Sequence, residues 1–139
     1  MKKKINFLVV SSLLLILSCS FNNKANKGKT ITELQVYTVD FDTETVIKIS
    51  CENFNKYFQD EIKKTVIKDS EKLKEFDKII KSLKNDPRKY FPDVRGKVLI
   101  KYSNNTIDTL CISRFGLELN GIAMIYDQRV VRIISLSGG

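Results

Sequence analysis

The chain has 139 residues, a formal net charge of +8 and 42% hydrophobic residues, and it contains no His and no Trp. This length allows one ordinary domain, and the hydrophobic fraction is too high for a disordered chain. Because His is absent, Ser-His-Asp and Cys-His catalysis, HExxH zinc chemistry and His-ligated haem are all excluded.

The N-terminal residues have the pattern of an export signal. Three lysines at positions 2–4 precede an apolar run at 5–17. A basic start followed by an apolar stretch of this kind is typical of a secretory signal. A short transmembrane anchor is the alternative. The run would form a helix roughly 20 Å long, however, which spans a bilayer core of ~30 Å poorly.

The apolar run ends in Ile16-Leu17-Ser18-Cys19. These residues resemble the lipobox of bacterial lipoproteins, in which signal peptidase II cuts before an invariant, lipidated Cys. The resemblance implies a signal peptide at 1–18 and acyl chains on Cys19. Two or three acyl chains would anchor the protein stably, whereas a single chain binds only marginally.

The residues after Cys19 carry an expectation about location. Ser20 is followed by Phe-Asn-Asn-Lys, without an acidic cluster. Within the lipoprotein resemblance, this implies an anchor in the outer membrane with the protein facing the periplasm. Richness in Lys, Ile and Asn makes the chain similar to small Bacteroidota lipoproteins of unknown function.

The strong positive charge belongs to export and tethering. Residues 19–29 have no apolar period and indicate a lipidated Cys with a flexible tether. Six lysines lie before residue 30, so the single domain expected at 30–139 has 18 basic and 16 acidic residues, a net of +2. This balance gives no support for nucleic-acid binding. The expected partners are the membrane, through the anchor, and an envelope protein.

The first half of the domain predicts strands and one short helix. Alternating apolar residues at 31–39 predict a strand, and 45–50 predicts a second strand paired with it as a hairpin. Phe54 and Phe58 are four residues apart, which suits a short helix over 52–59. A brief strand is predicted at 63–68.

The clearest helix follows Asp69-Ser70, which offers an N-cap. Apolar residues recur there at helical spacing, with Lys and Glu on the other side. The helix should end near 84–85, because Asp86-Pro87 disfavours helical backbone. The apolar side consists of Leu73, Phe76, Ile79, Ile80 and Leu83.

Strand patterns return after the loop 85–96. Strands are predicted at 97–102 and 106–113, joined by a two-residue turn at Asn104-Asn105. A hairpin is predicted over 117–126 with Asn120-Gly121 at its turn, and Asp127 could cap a last short helix. The order predicts an α+β fold, in which the main amphipathic helix covers one face of an antiparallel sheet of about five to seven strands.

Cys51 and Cys111 leave two interpretations open. In an oxidising compartment such pairs tend to form disulfides, but the sequence cannot supply the required Cα separation. Two buried free thiols are the alternative. The separation is too long for a redox Cys-x-x-Cys motif.

Motifs for chemistry are missing from the sequence. Without imidazoles the two Cys and Met124 make a poor metal site, and no Ser-x-x-Lys, Gly-x-Ser-x-Gly or phosphate loop occurs. We therefore expect no metal, no cofactor and no enzymatic activity. The expectation is a binding or interaction domain. The alternatives are an inhibitor or immunity-like protein and a hydrolase that uses paired carboxylates.

The loop 85–96 is the candidate partner-binding site. It contains Tyr90, Phe91 and Arg95, which are residue types that anchor interfaces. The alternative is that Tyr90 and Phe91 fold back over the end of the long helix, since an exposed aromatic pair is costly without a partner.

Overall fold

Residues 28–135 are described by the structure, a computed structural model, and within them six strands and three α-helices form. Cys19 and the signal peptide predicted at 1–18 lie outside the described residues. No helix between residues 28 and 135 is long and apolar enough to cross a membrane. In chain order the elements are β1 Ile31–Thr38, α1 Phe54–Phe58, a short 3-10 helix Gln59–Glu61, β2 Lys63–Ile67, α2 Ser70–Ser82, β3 Gly96–Tyr102, β4 Ile107–Ile112, β5 Leu117–Leu119, β6 Ile122–Met124 and α3 Gln128–Ser135.

The strands form a single antiparallel sheet in the order β2-β1-β3-β4-β5-β6. The last four strands are a meander, and β1 lies between β2 and β3. Helix α2 packs on β1 and against α3. The predicted α+β class is confirmed, with its antiparallel sheet, its main helix and its short C-terminal helix.

The second predicted strand, at 45–50, is wrong. The structure has no strand there, and both edges of β1 are occupied by β2 and β3. Val46 and Ile47 are exposed, and Ile49 alone of the three is buried. Ile49 joins the sheet at one point, where its carbonyl accepts a hydrogen bond of 2.9 Å from Val94 N. Long-range pairing of β1 with β3 therefore replaces the local hairpin.

The turn predicted at Asn120-Gly121 is confirmed, whereas the turn predicted between β3 and β4 is one residue longer than expected. Asn120 (φ 49°) and Gly121 (φ 80°) both adopt the left-handed backbone that a two-residue hairpin turn needs. Between β3 and β4 the turn has three residues rather than two. Tyr102 N donates to Thr106 O across it, and Asn105 is left-handed at φ 62°.

Helix α2 forms as its sequence predicts. The Asp69 side chain accepts a hydrogen bond from Lys72 N at 2.9 Å and caps the first turn. Leu73, Phe76 and Ile79 are buried on its inner side. They complete the main core, which also contains Leu34, Val36, Ile67, Val98, Ile100, Leu110, Ile112, Leu117, Val130 and Ile133.

A second core covers part of the opposite sheet face. Phe54 and Phe58 of α1 stack with ring centroids 5.4 Å apart and are buried. They pack with Val39, Ile49, Val94 and Cys111. The segment between β1 and β2 therefore crosses the second face of the sheet and is held there by apolar contacts.

A disulfide joins this crossing segment to the sheet. Cys51 and Cys111 are bonded, with their Cα atoms 5.7 Å apart and 60 positions between them in sequence. Cys111 is buried in β4, opposite Lys97 of β3 and Glu118 of β5. Closing a loop of this length stabilises the folded state by about 3–4 kcal/mol, chiefly by restricting the unfolded chain.

The end of the predicted tether packs on the domain. Lys29, expected in the flexible segment, pairs with Asp108 at 3.2 Å and lies 3.5 Å from the centre of the Tyr102 ring. Gly28 O accepts a hydrogen bond from the Ser103 hydroxyl at 3.3 Å. The chain therefore enters the domain two residues earlier than predicted, beside the turn between β3 and β4.

Candidate functional site

Three loops meet at the end of the sheet opposite this entry point. The last residue of β1, Thr38, lies beside Gly96, and Gly96 lies beside Ile112 at the end of β4. The loops 40–48, 88–95 and 113–116 therefore share one end of the sheet. That end is roughly 25 Å from the entry point, since β1 rises ~3.3 Å per residue along its eight residues.

The loops expose apolar side chains at this end. Val46 is fully exposed, Phe115 is 70% exposed, and Tyr90 is 46% exposed. Exposed apolar groups gathered in one place mark interaction sites more often than isolated ones do. We call this end the distal surface and define it by five exposed residues, namely Val46, Ile47, Tyr90, Phe91 and Phe115.

The distal surface contains two adjoining cavities, which share Tyr90 and Phe115 as lining residues. The first has a volume of about 430 Å³ and carries the carboxylates of Asp42, Glu44 and Asp93. We call it the acidic cavity. Its remaining lining residues are Phe41, Thr43, Thr45, Arg95, Ser113 and Arg114.

The second cavity is basic and aromatic. It has a volume of about 440 Å³ and is lined by Lys48, Arg88, Lys89, Tyr90, Phe91 and Phe115, without a carboxylate. We call it the basic groove. Ligand pockets combine apolar walls with a few polar groups in this way, in volumes of about 300–1,000 Å³.

The Tyr90 ring is held against the loop that carries Phe115. A Cβ atom at Gly116 would lie only 3.0 Å from Tyr90 Cε1 and 3.3 Å from Pro92 Cβ. The ring therefore lies flat against the Gly116 backbone, and its other side remains exposed. The alternative interpretation had placed Tyr90 over the end of the long helix, whereas this contact is with the loop after β4.

The turn that leads into Tyr90 is fixed by Asp86. Lys89 N donates to Asp86 O at 3.0 Å, and Asp86 N donates to Ala123 O at 2.8 Å. The buried Asp86 carboxylate accepts two side-chain hydrogen bonds of 3.0 Å from Arg88. These bonds lower the pKa of Asp86 and raise the pKa of Arg88. The loop therefore starts from a rigid point on β6.

Arg95 was predicted to be a partner-binding residue, and the structure places it inside instead. Only 5% of the residue is exposed. All five N–H groups of its guanidinium are used within the domain. They donate to Thr43 O, Thr45 Oγ1, Val94 O and both carboxylate oxygens of Asp93, at 2.8–3.1 Å. Its donors are therefore satisfied without a partner.

Asp93 completes this arrangement. Burial raises the pKa of Asp93, but the hydrogen bonds from Ile49 N and Arg95 outweigh that effect and lower the pKa below its usual range. Asp93 Oδ1 accepts from Ile49 N at 2.7 Å and from Arg95 at 2.9 Å. The Arg95–Asp93 pair thus holds the loop 40–48 at its middle, through Thr43 and Thr45, and just after its end, through Ile49 N.

A pair of carboxylates lies elsewhere, near the disulfide. Burial, followed by the charge of Glu52, raises the pKa of Glu118 above its usual value. Glu118 is half-buried, whereas Glu52 is exposed. Neither residue lines the acidic cavity or the basic groove. A hydrolase would need both carboxylates beside a substrate cavity, so this pair supports that alternative weakly.

Between residues 28 and 135, no group of three or more Cys, Asp or Glu could hold a metal ion. Comparison with protein-family models, curated protein sequences and solved structures finds no match to this chain.

Sequence reasoning found Tyr90 and Phe91 but missed Phe115, Val46 and Ile47. Phe115 stands in a tight loop between two strands, where Phe115 N donates to Ser113 Oγ at 3.2 Å. An aromatic residue in such a turn cannot pack on the face of a strand, and this was the sequence signal that could have identified Phe115 as exposed. Val46 and Ile47 were predicted to lie in a strand, so they were not considered as exposed loop residues.

We predict that Arg95→Ala lowers the free energy of unfolding by about 2–3 kcal/mol, because it leaves Asp93 and two carbonyls without their donor. The free energy of unfolding of Arg95→Lys should lie between those of the wild type and Arg95→Ala, since an ammonium has only three donors. Urea unfolding measures the change, with Arg132→Ala as the control, because Arg132 and its ion-pair partner Glu75 are both exposed. A loss no larger than that of the control would contradict the structural role of Arg95.

We predict that Glu118→Gln stabilises the protein at neutral pH and not in acid. A carboxyl whose folded-state pKa lies above its unfolded value of 4.5 costs stability as the pH rises through the folded pKa. Urea midpoints measured at about pH 7 and about pH 4 test this, with Glu44→Gln as an exposed control. A gain that is equal at both pH values would show that ionisation of Glu118 is not its cause.

Proposed function

We propose that this chain is a lipid-anchored envelope protein whose domain binds a partner protein through the distal surface and has no enzymatic activity of its own. One observation carries the proposal. Three exposed aromatic side chains, those of Tyr90, Phe91 and Phe115, line two adjoining cavities at the end of the sheet opposite the point where the chain enters the domain. Val46 and Ile47 are exposed on a loop at the same end.

The anchor follows from the lipobox resemblance. Cys19 would carry the acyl chains in the outer membrane, with the domain in the periplasm. The nine residues from 19 to 27 could extend about 30 Å from the lipid surface. Because the chain enters the domain beside Ser103, the distal surface would face away from the anchoring membrane and towards a partner in the periplasm.

The rigidity of the loops supports binding as their role. Recognition residues concentrate on loops held by a fixed frame, because less conformational entropy is lost when a partner binds. Arg95 fixes the loop 40–48, Asp86 fixes the turn before Tyr90, and Gly116 supports the Tyr90 ring. An inhibitor or immunity-like protein would use such a surface in the same way, with an enzyme as its partner.

The hydrolase alternative has less support. In the acidic cavity Asp42 pairs with Arg114 and Asp93 pairs with Arg95. Two of its three carboxylates are therefore held by cations, and the pKa of Asp93 is lowered rather than raised. A general acid needs a raised pKa, so this cavity has the wrong electrostatics for carboxylate-dependent hydrolysis.

We predict that Cys19 is the lipid site. The wild type should incorporate labelled palmitate, and Cys19→Ser should remain unprocessed and unlabelled, because the thioether forms on that sulfur. Labelling in cells with electrophoresis of the full chain reads out both effects. Normal cleavage of the variant, together with an unlabelled wild type, would refute the anchor.

We predict that Phe91→Ser with Phe115→Ser abolishes partner capture and lowers the thermal midpoint no more than the control variant does, because Phe91 and Phe115 are 42% and 70% exposed. Crosslinking and affinity purification of the full chain from native membranes measure capture. The matched control is Ile107→Ser with Ile122→Ser, which removes two residues of similar exposure outside the distal surface. Loss of capture in the control, or retention in the test variant, would place the interface elsewhere.

A further inference from the structure

We infer that the basic groove binds an extended segment of a protein partner, in which a carboxylate stands beside an apolar side chain. The inference rests on the proposed function and specifies the chemistry of the partner. It is carried by the side-chain charges of the groove, by its fixed aromatic walls and by the opposite charge of the neighbouring cavity.

Within residues 28–135, two cations of the groove form no ion pair, although the charge of one of them, Lys48, helps to lower the pKa of Asp93. Arg88 is paired with the buried carboxylate of Asp86 at 3.0 Å. Lys48 and Lys89 are exposed, and neither has an ion-pair partner within residues 28–135. Lys48 Nζ stands 5.3 Å from the centre of the Tyr90 ring. An occupant with a carboxylate would therefore meet both charge and aromatic surface.

The aromatic walls suit an apolar side chain. Phe115, Phe91 and Tyr90 are 70%, 42% and 46% exposed, so each keeps a free surface towards the groove. The Tyr90 ring is supported from behind by Gly116, which limits its movement. Aromatic side chains held in this way are frequent anchor points of protein interfaces, because little entropy is lost when they are covered.

The charge of the acidic cavity favours a peptide over a membrane as the occupant of the basic groove. An anionic bilayer is broad and would have to cover both cavities, including Glu44, the one carboxylate of the acidic cavity that is not paired with an Arg. The repulsion would oppose the attraction of Lys48 and Lys89. A narrow peptide can lie along the basic groove and avoid the carboxylates. The mixed charge of the distal surface therefore favours a protein segment over a lipid surface.

Glu44 sets a direction for the bound segment. It is exposed and has no ion-pair partner in the part of the chain that the structure describes. A peptide that places its acidic residue near Lys48 and its apolar side chain between Tyr90 and Phe115 would carry its next residues over the acidic cavity. A Lys or Arg there would pair with Glu44.

Selection from a random peptide display library tests the inference. The target is the full lipidated chain in nanodiscs of zwitterionic phosphatidylcholine, which keeps the anchor away from solution. We expect the selected peptides to be enriched in Asp or Glu next to an aromatic or aliphatic residue. Their affinity, measured by fluorescence anisotropy, should fall at least tenfold in Lys48→Glu with Lys89→Glu, and it should weaken with added salt.

The matched control is Lys74→Glu with Lys78→Glu, which makes the same charge change on exposed residues of α2, where Lys74 lies beside Thr30 and Ile31 at the entry end of the domain. It should leave the affinity within about twofold, since those residues are distant from the groove. Glu44→Lys should weaken only those peptides that carry a basic residue after the apolar one.

Three results would overturn the inference. The first is failure to select any peptide, and the second is selection of peptides without acidic residues. The third is an affinity that Lys48→Glu with Lys89→Glu does not change. If vesicles of phosphatidylglycerol bind the nanodisc-held chain and lose binding in that variant, the occupant is a lipid surface. Continued capture of a partner through Phe91 and Phe115 would then leave the proposed function standing while this inference fails.

Discussion

The Arg95–Asp93 pair is the interaction on which the distal end of this domain depends. The backbone of Arg95 forms hydrogen bonds within the sheet, and its side chain forms hydrogen bonds with the loop 40–48. Arg95 N donates to Ile112 O, and Arg95 O accepts from Val39 N, so its backbone extends the sheet beyond β3. Its guanidinium reaches outward to Thr43 and Thr45. One residue thereby links the rigid sheet to the loop whose residues 41–45 line the acidic cavity.

The disulfide gives the same crossing segment a second attachment. Arg95 holds the loop 40–48, and Cys51–Cys111 holds the residues just before α1. The apolar contacts of Phe54 and Phe58 then cover the second face of the sheet. Without these links, a chain of more than twenty residues between β1 and β2 would carry little regular structure, and such loops are mobile. With them, the distal surface has fixed positions for its exposed side chains.

The sequence predicted the elements with strong local signals. The alternation of β1, the spacing of Leu73 and Phe76 in α2 and the Asn120-Gly121 turn are properties of a few neighbouring residues, and all three appear in the structure. The pairing of β1 with β3 and β2 could not be predicted in this way, because it joins residues 25 to 71 positions apart.

The site was harder to predict for a related reason. An Arg in an aromatic loop looks the same in sequence whether its donors face a partner or the protein interior, so Arg95 was placed wrongly. The pairing of Cys51 with Cys111 stayed open, because only the fold sets the separation of their Cα atoms. Phe115 lies near Tyr90 only because the tertiary structure brings their two loops together, and the contact between the Tyr90 ring and Gly116 is an example.

The central claim is that the distal surface, held in shape by Arg95, contacts a partner protein in the cell envelope. Photo-crosslinking in intact cells tests it most directly, with p-benzoylphenylalanine placed at Phe115 or, as the comparison site, at Ile107. We expect a discrete protein adduct from position 115, none from position 107, and loss of the adduct when Arg95→Ala is added. An adduct from position 107 alone, or none from position 115, would contradict the claim.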